Sequence, residues 1–539
     1  MNNNPPLIVE GLQFRYRDRQ EPALQGIAMR LEAGEILLVA GPSGCGKTTL
    51  ARCINGLIPR SYKGELEGKI VVSGQDIRSL SLARISQSVG TVLQDPERQI
   101  LGTKVMNEVA FGLENLGLER DEIVERSERA MERLRITHLR QRDTFSLSGG
   151  EKQKVALAGV LAMQPSLLLL DEPLASLDPA SAEEALRMVR DLADEGMAIL
   201  IVEHRVEDVL KIDPDRAIFM HAGQIIYDGA TTGLTDVVDY HEVKLPAKSV
   251  LRLAREESQP AHIPQPLPRE HAGEQALISF KGVGFHYVDN QPVLEDVDFD
   301  ICPGDVIAVL GANGAGKTTL VKHAIGLLKP SAGEVWVGER PTRSMSVAQI
   351  AGTIGYVFQS PSHMLFAPTV KEELAFGPSN LGHRPDDIEK EVKQAIDIMN
   401  LGGMEADPPL ALSFGQQKRV SIAAVLAMRS RILVMDEPTA GQDYRNYTDF
   451  MDSILDLPGF DAILFITHDV DLAVVYANRV LLVSEGRVIA DGSPEEVLRD
   501  YDRLRNCRLV PTSLLDLNLE MYDQTGRFLR AEALAYAGG

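Results

Sequence analysis

Two stretches of this chain, GPSGCGKT at 41–48 and GANGAGKT at 311–318, are near copies, and their lysines, Lys47 and Lys317, stand 270 residues apart. The pattern G-x-x-x-x-G-K-[ST] leaves a chain little choice. Its glycines let consecutive backbone N–H groups turn inward, and the helix that begins at the lysine presents a positive N-terminus to an anion. Such a loop follows a buried strand and opens a helix, so each copy requires an α/β unit around it. Other residues repeat at nearly the same distance: Gln94 and Gln359, Ser148 and Ser413, and Glu172 and Glu437 are each 265 apart, and His204 and His468 are 264 apart. The chain is a tandem duplication.

Within each half, apolar runs alternate with amphipathic ones. EILLVA, SLLLLD and MAILIVEH in the first half, and DVIAVL, RILVMD and DAILFITH in the second, read as buried parallel strands, whereas SAEEALRMVRDLADEG carries apolar residues at helical spacing. The expected class is α/β with a mostly parallel sheet. The expected boundaries are a first domain over 7–246, a linker over 247–276, a second domain over 277–510 and a C-terminal tail over 511–539. The linker contains SQPAHIPQPLPRE, and proline-rich chain of this kind favours an extended path of about 3.1 Å per residue. That is long enough to let the halves pack face to face in either order.

A length of 539 residues fits roughly two to four domains. The net charge of −22 argues against general attraction to nucleic acid or to an anionic membrane surface, because counterion release needs a basic footprint. The four cysteines, Cys45, Cys53, Cys302 and Cys507, lack zinc-ligand spacing, and no signal peptide precedes them, which points to a reducing cytosol. With no run of 18 apolar residues, the chain is not expected to cross a membrane.

The loops bring their own chemistry. Gly41, Ser43, Gly44, Gly46 and Thr49, with Gly311, Asn313, Gly314, Gly316 and Thr319, form the two cradles; Lys47 and Lys317 reach the outer phosphates, and Thr48 and Thr318 bind Mg²⁺. Asp171 and Asp436 close apolar strands, where they hold the metal, and Glu172 and Glu437 after them can polarise an attacking water. The plainer reading makes DEP a polar strand end. His204 and His468 end the next strand, within reach of a γ-phosphate or in a structural role. Cys45 sits at a helix N-terminus, where the dipole favours the thiolate, and bound nucleotide is expected to protect it.

Taken together, the lysine loop, the glutamine, a Leu-Ser-x-Gly signature, the DEP strand and the final histidine resemble the ATP-binding cassette (ABC) ATPases over nearly all of both halves. The resemblance implies two nucleotide-binding domains, each with a helical subdomain, that bind and hydrolyse Mg·ATP and clamp two nucleotides head to tail. It implies that Tyr16 and Tyr287 stack on adenine, although either could be an ordinary strand aromatic. It makes Gln94 and Gln359 metal and nucleotide contacts that communicate with a transmembrane partner, and it gives Asp178 and Asp443 to loops that cross between cassettes. The signature of the second half, Ser413, Gly415 and Gln416 with Phe414, closes over the first nucleotide, and Ser148, Gly149 and Gly150 close over the second.

A narrower resemblance follows each glutamine. Val105, Glu108, Ala110, Phe111 and Gly112, and again Val370, Glu373, Ala375, Phe376 and Gly377, repeat V-x-x-E-x-A-F-G as in energy-coupling factor ATPases, which drive uptake of vitamins and other small nutrients through a shared transmembrane subunit and a substrate-binding membrane protein. This implies a peripheral protein on the cytoplasmic face of the membrane, with Phe111 and Phe376 in a groove for a partner helix; the alternative places both rings in a core. A soluble twin-cassette ATPase acting on ribosomes fits poorly with an acidic chain and a proline-rich linker. A fused sugar-importer ATPase typically carries a damaged second catalytic set, whereas Lys317, Asp436, Glu437 and His468 are all present. The departures gather on one nucleotide site: Phe414 replaces a glycine, Glu203 and Arg205 flank His204 where Thr467 and Asp469 flank His468, and AGQD replaces ASLD. Unequal sites are the expected consequence.

Overall fold

The apolar runs become the central strands. In the computed structural model, which describes residues 4–93, 95–175, 177–256, 275–287, 292–440 and 442–537, Ile36–Ala40 is buried at every position. It pairs in parallel with Ala198–Val202 on one side and Arg216–His221 on the other. Leu167–Asp171 and Val89–Val92 extend the parallel set, and Gln224–Gly229 joins the opposite edge antiparallel, which completes a six-stranded sheet. Strands buried on both faces have no polar side to alternate with, which is why they read as unbroken apolar runs. A second, four-stranded antiparallel sheet holds Leu24–Leu31, Leu7–Tyr16, Gly64–Val72 and Gln75–Asp76 in that order.

The second unit repeats this plan. Its six-stranded sheet runs Ile354–Val357, Ile432–Asp436, Ala462–Thr467, Val306–Leu310, Arg479–Ser484 and Arg487–Gly492, antiparallel only at the last pair. Each unit also carries a three-helix subdomain: Val105–Asn115, Arg120–Arg133 and Gly149–Ala162 in the first, and Val370–Asn380, Pro385–Ile398 and Phe414–Ala427 in the second. Close packing there depends on two glycines. A Cβ on Gly112 would stand 2.8 Å from the Met163 sulfur, and one on Gly377 would stand 2.4 Å from Met428 Cγ.

Two expected boundaries shift. The chain divides into Met1–Ser249 with Asp443–Arg445, and Val250–Gln442 with Asn446–Gly539. The span read as linker opens with a helix, Ala247–Ala254; its Ala247, Val250 and Ala254 are buried, an apolar stripe at helical spacing. The prolines from Pro260 to Pro268 lie outside the described residues. The span read as a tail is folded: Ser513–Thr525 and Ala531–Leu534 are helices, and Leu515 and Phe528 belong to the core of the second unit. Arg530, about nine-tenths buried, contacts Asp452 and the Tyr476 hydroxyl there.

Candidate nucleotide sites

Each lysine loop leaves the end of a central strand and turns into a helix, Lys47–Ile54 or Lys317–Ala324, at a glycine in the left-handed region, Gly46 at φ 109° and Gly316 at φ 103°. A side chain at Gly46 would strike the Ala23 carbonyl at 2.6 Å, so glycine is required there for space as well as for φ. The lysines fold back over their loops. Lys47 Nζ donates to the Gly41 and Pro42 carbonyls at 2.7 and 3.0 Å, and Lys317 Nζ to those of Gly311 and Ala312 at 2.7 and 2.9 Å. Ser43, Gly44, Asn313 and Gly314, at the tips, are exposed. Tyr16 and Tyr287 lean on the same helices, each hydroxyl sharing a hydrogen bond with a threonine, Thr49 at 3.1 Å and Thr319 at 3.3 Å.

The acid pairs stand at the neighbouring strand end. Glu172 and Glu437 have φ values of +50° and +44°, and each is held there by its N–H on the next strand, to Val202 at 2.8 Å and Ile466 at 2.9 Å. Asp436 Oδ2 accepts from Thr318 Oγ1 at 3.0 Å and from the Tyr356 hydroxyl at 2.9 Å. Burial pushes its pKa up, and these two donors oppose that. The first unit has Thr91 in place of Tyr356. There Asp171 Oδ1 is buried without a hydrogen-bond partner, and burial, reinforced by the Glu172 charge, pushes the carboxyl to about 6. A buried carboxylate oxygen with nothing to accept from is what a cation site needs, so Thr48 and Asp171 fit Mg²⁺; Thr318 and Asp436 occupy the equivalent positions, with Asp436 Oδ2 already accepting from two hydroxyls. Gln94 lies outside the described residues. Gln359 is exposed, and its carbonyl accepts from Lys418 Nζ at 3.3 Å.

The histidines differ between the units. His468 Nδ1 is 2.9 Å from Glu437 Oε1. His204 Nδ1 is 3.9 Å from Glu172 Oε1, beyond hydrogen-bond reach, and 3.2 Å from Glu203 Oε1. Burial raises the Glu172 pKa, His204 opposes this, and the charge of Glu203 adds to the rise.

Both signature serines cap helices. Ser148 and Ser413 close capping boxes with Glu151 and Gln416 at the starts of Gly149–Ala162 and Phe414–Ala427. Gly149 and Gly415 are exposed, and Gly150 is partly so. Phe414 occupies the first helical position and is 40% exposed, so it does not fill its own unit's core; the ammonium of Lys418 lies 5.7 Å from the ring centroid. Lys418 is only 1% exposed. Burial pushes it down to about 8, against the charges of Glu437 and Asp436. Sequence reasoning passed over Lys418 and Tyr356.

The thiol of Cys45 departs from expectation. It is buried, and burial raises its pKa; Lys47, at 3.9 Å, opposes that rise without cancelling it. Desolvation outweighs the helix dipole at this position.

The V-x-x-E-x-A-F-G helices carry a second arrangement. Glu108 and Glu373 are buried, and one oxygen of each accepts two consecutive loop N–H groups: Leu101 and Gly102 at 2.8 and 2.6 Å, and Phe366 and Ala367 at 2.8 and 2.8 Å. The braced loops present Leu101 and Phe366 to solvent, and Phe111 and Phe376 are themselves 42% and 51% exposed. Phe366 and Phe376 meet edge to face at 4.7 Å. The alternative that placed these rings in a core is corrected: the glutamates, not the phenylalanines, face inward.

Phosphate loop, strand-end acids and histidine, gathered at the C-terminal edge of one parallel sheet, define an ATP-hydrolysing cassette, and the chain holds two. It belongs to the ABC transporter ATP-binding family, whose domain model, described as ABC transporter, matches residues 24–175 and 294–440. A protein of Streptococcus pneumoniae serotype 4, provisionally named an ABC transporter ATP-binding protein, is 37% identical, the match covering 94% of this chain and 93% of the relative. A similarly named protein of Caldanaerobacter subterraneus subsp. tengcongensis is 34% identical, with 95% of each covered. Among solved structures, CbiO1 of Clostridium perfringens, described as part of the ABC transporter complex CbiONQ, is 32% identical with a TM-score of 0.40, covering 46% of this chain and 97% of that one. Among the described residues, no helix is long and apolar enough to cross a membrane.

Proposed function

We propose that this chain is the ATP-hydrolysing motor subunit of an importer of energy-coupling factor type, carrying a vitamin or another small nutrient. It sits peripherally on the cytoplasmic face of the membrane and works with a shared transmembrane coupling protein and a substrate-binding membrane protein. The observation that carries this reading is the exposed aromatic pair. Phe111 and Phe376 lie open to solvent on helices whose glutamates brace the adjoining loops, and exposed apolar groups on a braced scaffold suit the capture of a partner helix.

Across the two cassettes the chain's own residues divide the work. Lys47 and Lys317 take the outer phosphates, Thr48 with Asp171 and Thr318 with Asp436 hold Mg²⁺, and Gln94 and Gln359 join those sites. Bound Mg²⁺ neutralises charge that develops on the phosphates. Glu172 and Glu437 orient the attacking water, and His204 and His468 accompany them. Tyr16 and Tyr287 face the base, and the signature groups of Ser148 and Ser413 supply hydroxyl and N–H contacts to phosphate.

The test is purification of the chain from detergent-solubilised membranes of its own host. The expected result is co-purification of polytopic membrane proteins that is lost in a Phe111→Glu/Phe376→Glu variant with unchanged ATPase activity. Recovery of the chain with ribosomes, and no membrane partner, would overturn it.

A further inference from the structure

We propose that Glu203 is a positioning residue that holds His204 away from Glu172 and so slows hydrolysis in the first cassette; this rests on reading Glu172 and His204 as the hydrolytic pair there. Glu203 is fully buried. Its Oε1 accepts the backbone N–H groups of His204 and Arg205 at 2.8 and 3.1 Å and lies 3.2 Å from His204 Nδ1. Its Oε2 has no hydrogen-bond partner.

The second cassette shows which part of this the fold requires. Thr467, equally buried, accepts the Asp469 N–H through Oγ1 at 3.0 Å, so a hydroxyl suffices to cap this turn. The carboxyl of Glu203 is more than the turn needs, and burying one with an unsatisfied oxygen is unfavourable. What the carboxyl adds is a charge 3.2 Å from the ring's Nδ1. Nδ1 makes no hydrogen bond to either acid in the first cassette; the carboxylate charge nearest to it is that of Glu203, at 3.2 Å, with Glu172 at 3.9 Å. In the first cassette it stands nearer Glu203; in the second, with threonine at the equivalent position, it stands 2.9 Å from Glu437. The acid whose charge attracts Nδ1 biases the ring's orientation and with it where the other nitrogen points.

The test uses the full chain carrying Glu437→Gln, so that the remaining hydrolysis is read from the first cassette. Steady-state turnover with Mg·ATP is compared with and without Glu203→Thr. The expected result is a rise in kcat on the order of threefold to tenfold, the rate equivalent of one hydrogen bond returned to the reacting group, at unchanged KM for ATP. Glu203→Gln, which keeps the volume and an acceptor for the backbone, should raise kcat less, and it decides the matter alone if the threonine variant does not fold. Two folded variants with kcat at or below the parent value would overturn the positioning role. Adding Glu172→Gln should remove the gain; a gain that survives would overturn the assignment of Glu172 as well.

Discussion

His468 Nδ1 lies 2.9 Å from Glu437 Oε1, the distance of a hydrogen bond, while the matching contact between His204 and Glu172 is 3.9 Å. The proposed hydrolytic pair is within hydrogen-bond distance in the second cassette and beyond it in the first. Glu437→Gln is therefore expected to remove more of the chain's total ATPase activity than Glu172→Gln, with a loss in the second cassette on the order of a hundredfold. Both variants should still bind Mg·ATP, because the amide keeps the shape of the acid. Equal losses would refute unequal cassettes.

Asp171 gives a pH signature. Its folded pKa is raised, to about 6 from an ordinary 3.8, so its ionised form is what folding disfavours. The penalty is absent below the unfolded value, grows between roughly pH 4 and 6, and is complete above that, at about 3 kcal/mol. In nucleotide-free protein with EDTA, Asp171→Asn should raise the melting temperature at pH 8 and leave it nearly unchanged at pH 4, while Mg·ATP hydrolysis in that cassette is lost. A variant that melts lower at pH 8 would contradict the desolvation argument.

The exposed rings separate coupling from chemistry. Phe111→Glu with Phe376→Glu should leave basal ATPase activity and melting temperature within experimental error, since neither ring is in a core, and should abolish nutrient uptake in cells. Normal uptake by the double variant would remove these rings from the partner surface.

Thiol labelling tests the balance at Cys45. With burial raising its pKa, a maleimide at pH 7.5 should modify the half-buried Cys302 first and leave Cys45 intact until the chain is unfolded. Mass spectrometry of the digested protein reads this directly. Labelling of Cys45 as fast as Cys302 would show that the helix dipole and Lys47 dominate after all.

Much of this was readable from residues alone. The central strands, the lysine loops and the acid pairs announce themselves because burial on both faces leaves an unbroken apolar run, and because a backbone turn of that shape demands glycine at fixed spacing. Lys418 was not readable: in the run GQQKR it resembles any solvated charge, and only the packing of Phe414–Ala427 reveals that it is buried beside Gln359. Glu108 and Glu373 were visible as a motif but not as braces, because their partners are backbone N–H groups, which leave no mark on a sequence. The C-terminal helices were missed for a similar reason. Leu515 and Phe528 are too few to signal a core until the rest of the unit meets them.

The left-handed backbone at Glu172 and Glu437 has a practical consequence for anyone engineering this motor. A residue with a Cβ at φ near +50° gives up on the order of 1 kcal/mol that glycine would recover, and here that residue is the acid proposed to orient water. Relief of backbone strain and turnover pull in opposite directions at these two positions. At 437 glycine would also forfeit the hydrogen bond to His468 and the charge facing the buried Lys418, so any screen for thermal survival at these positions has to select for hydrolysis in the same step.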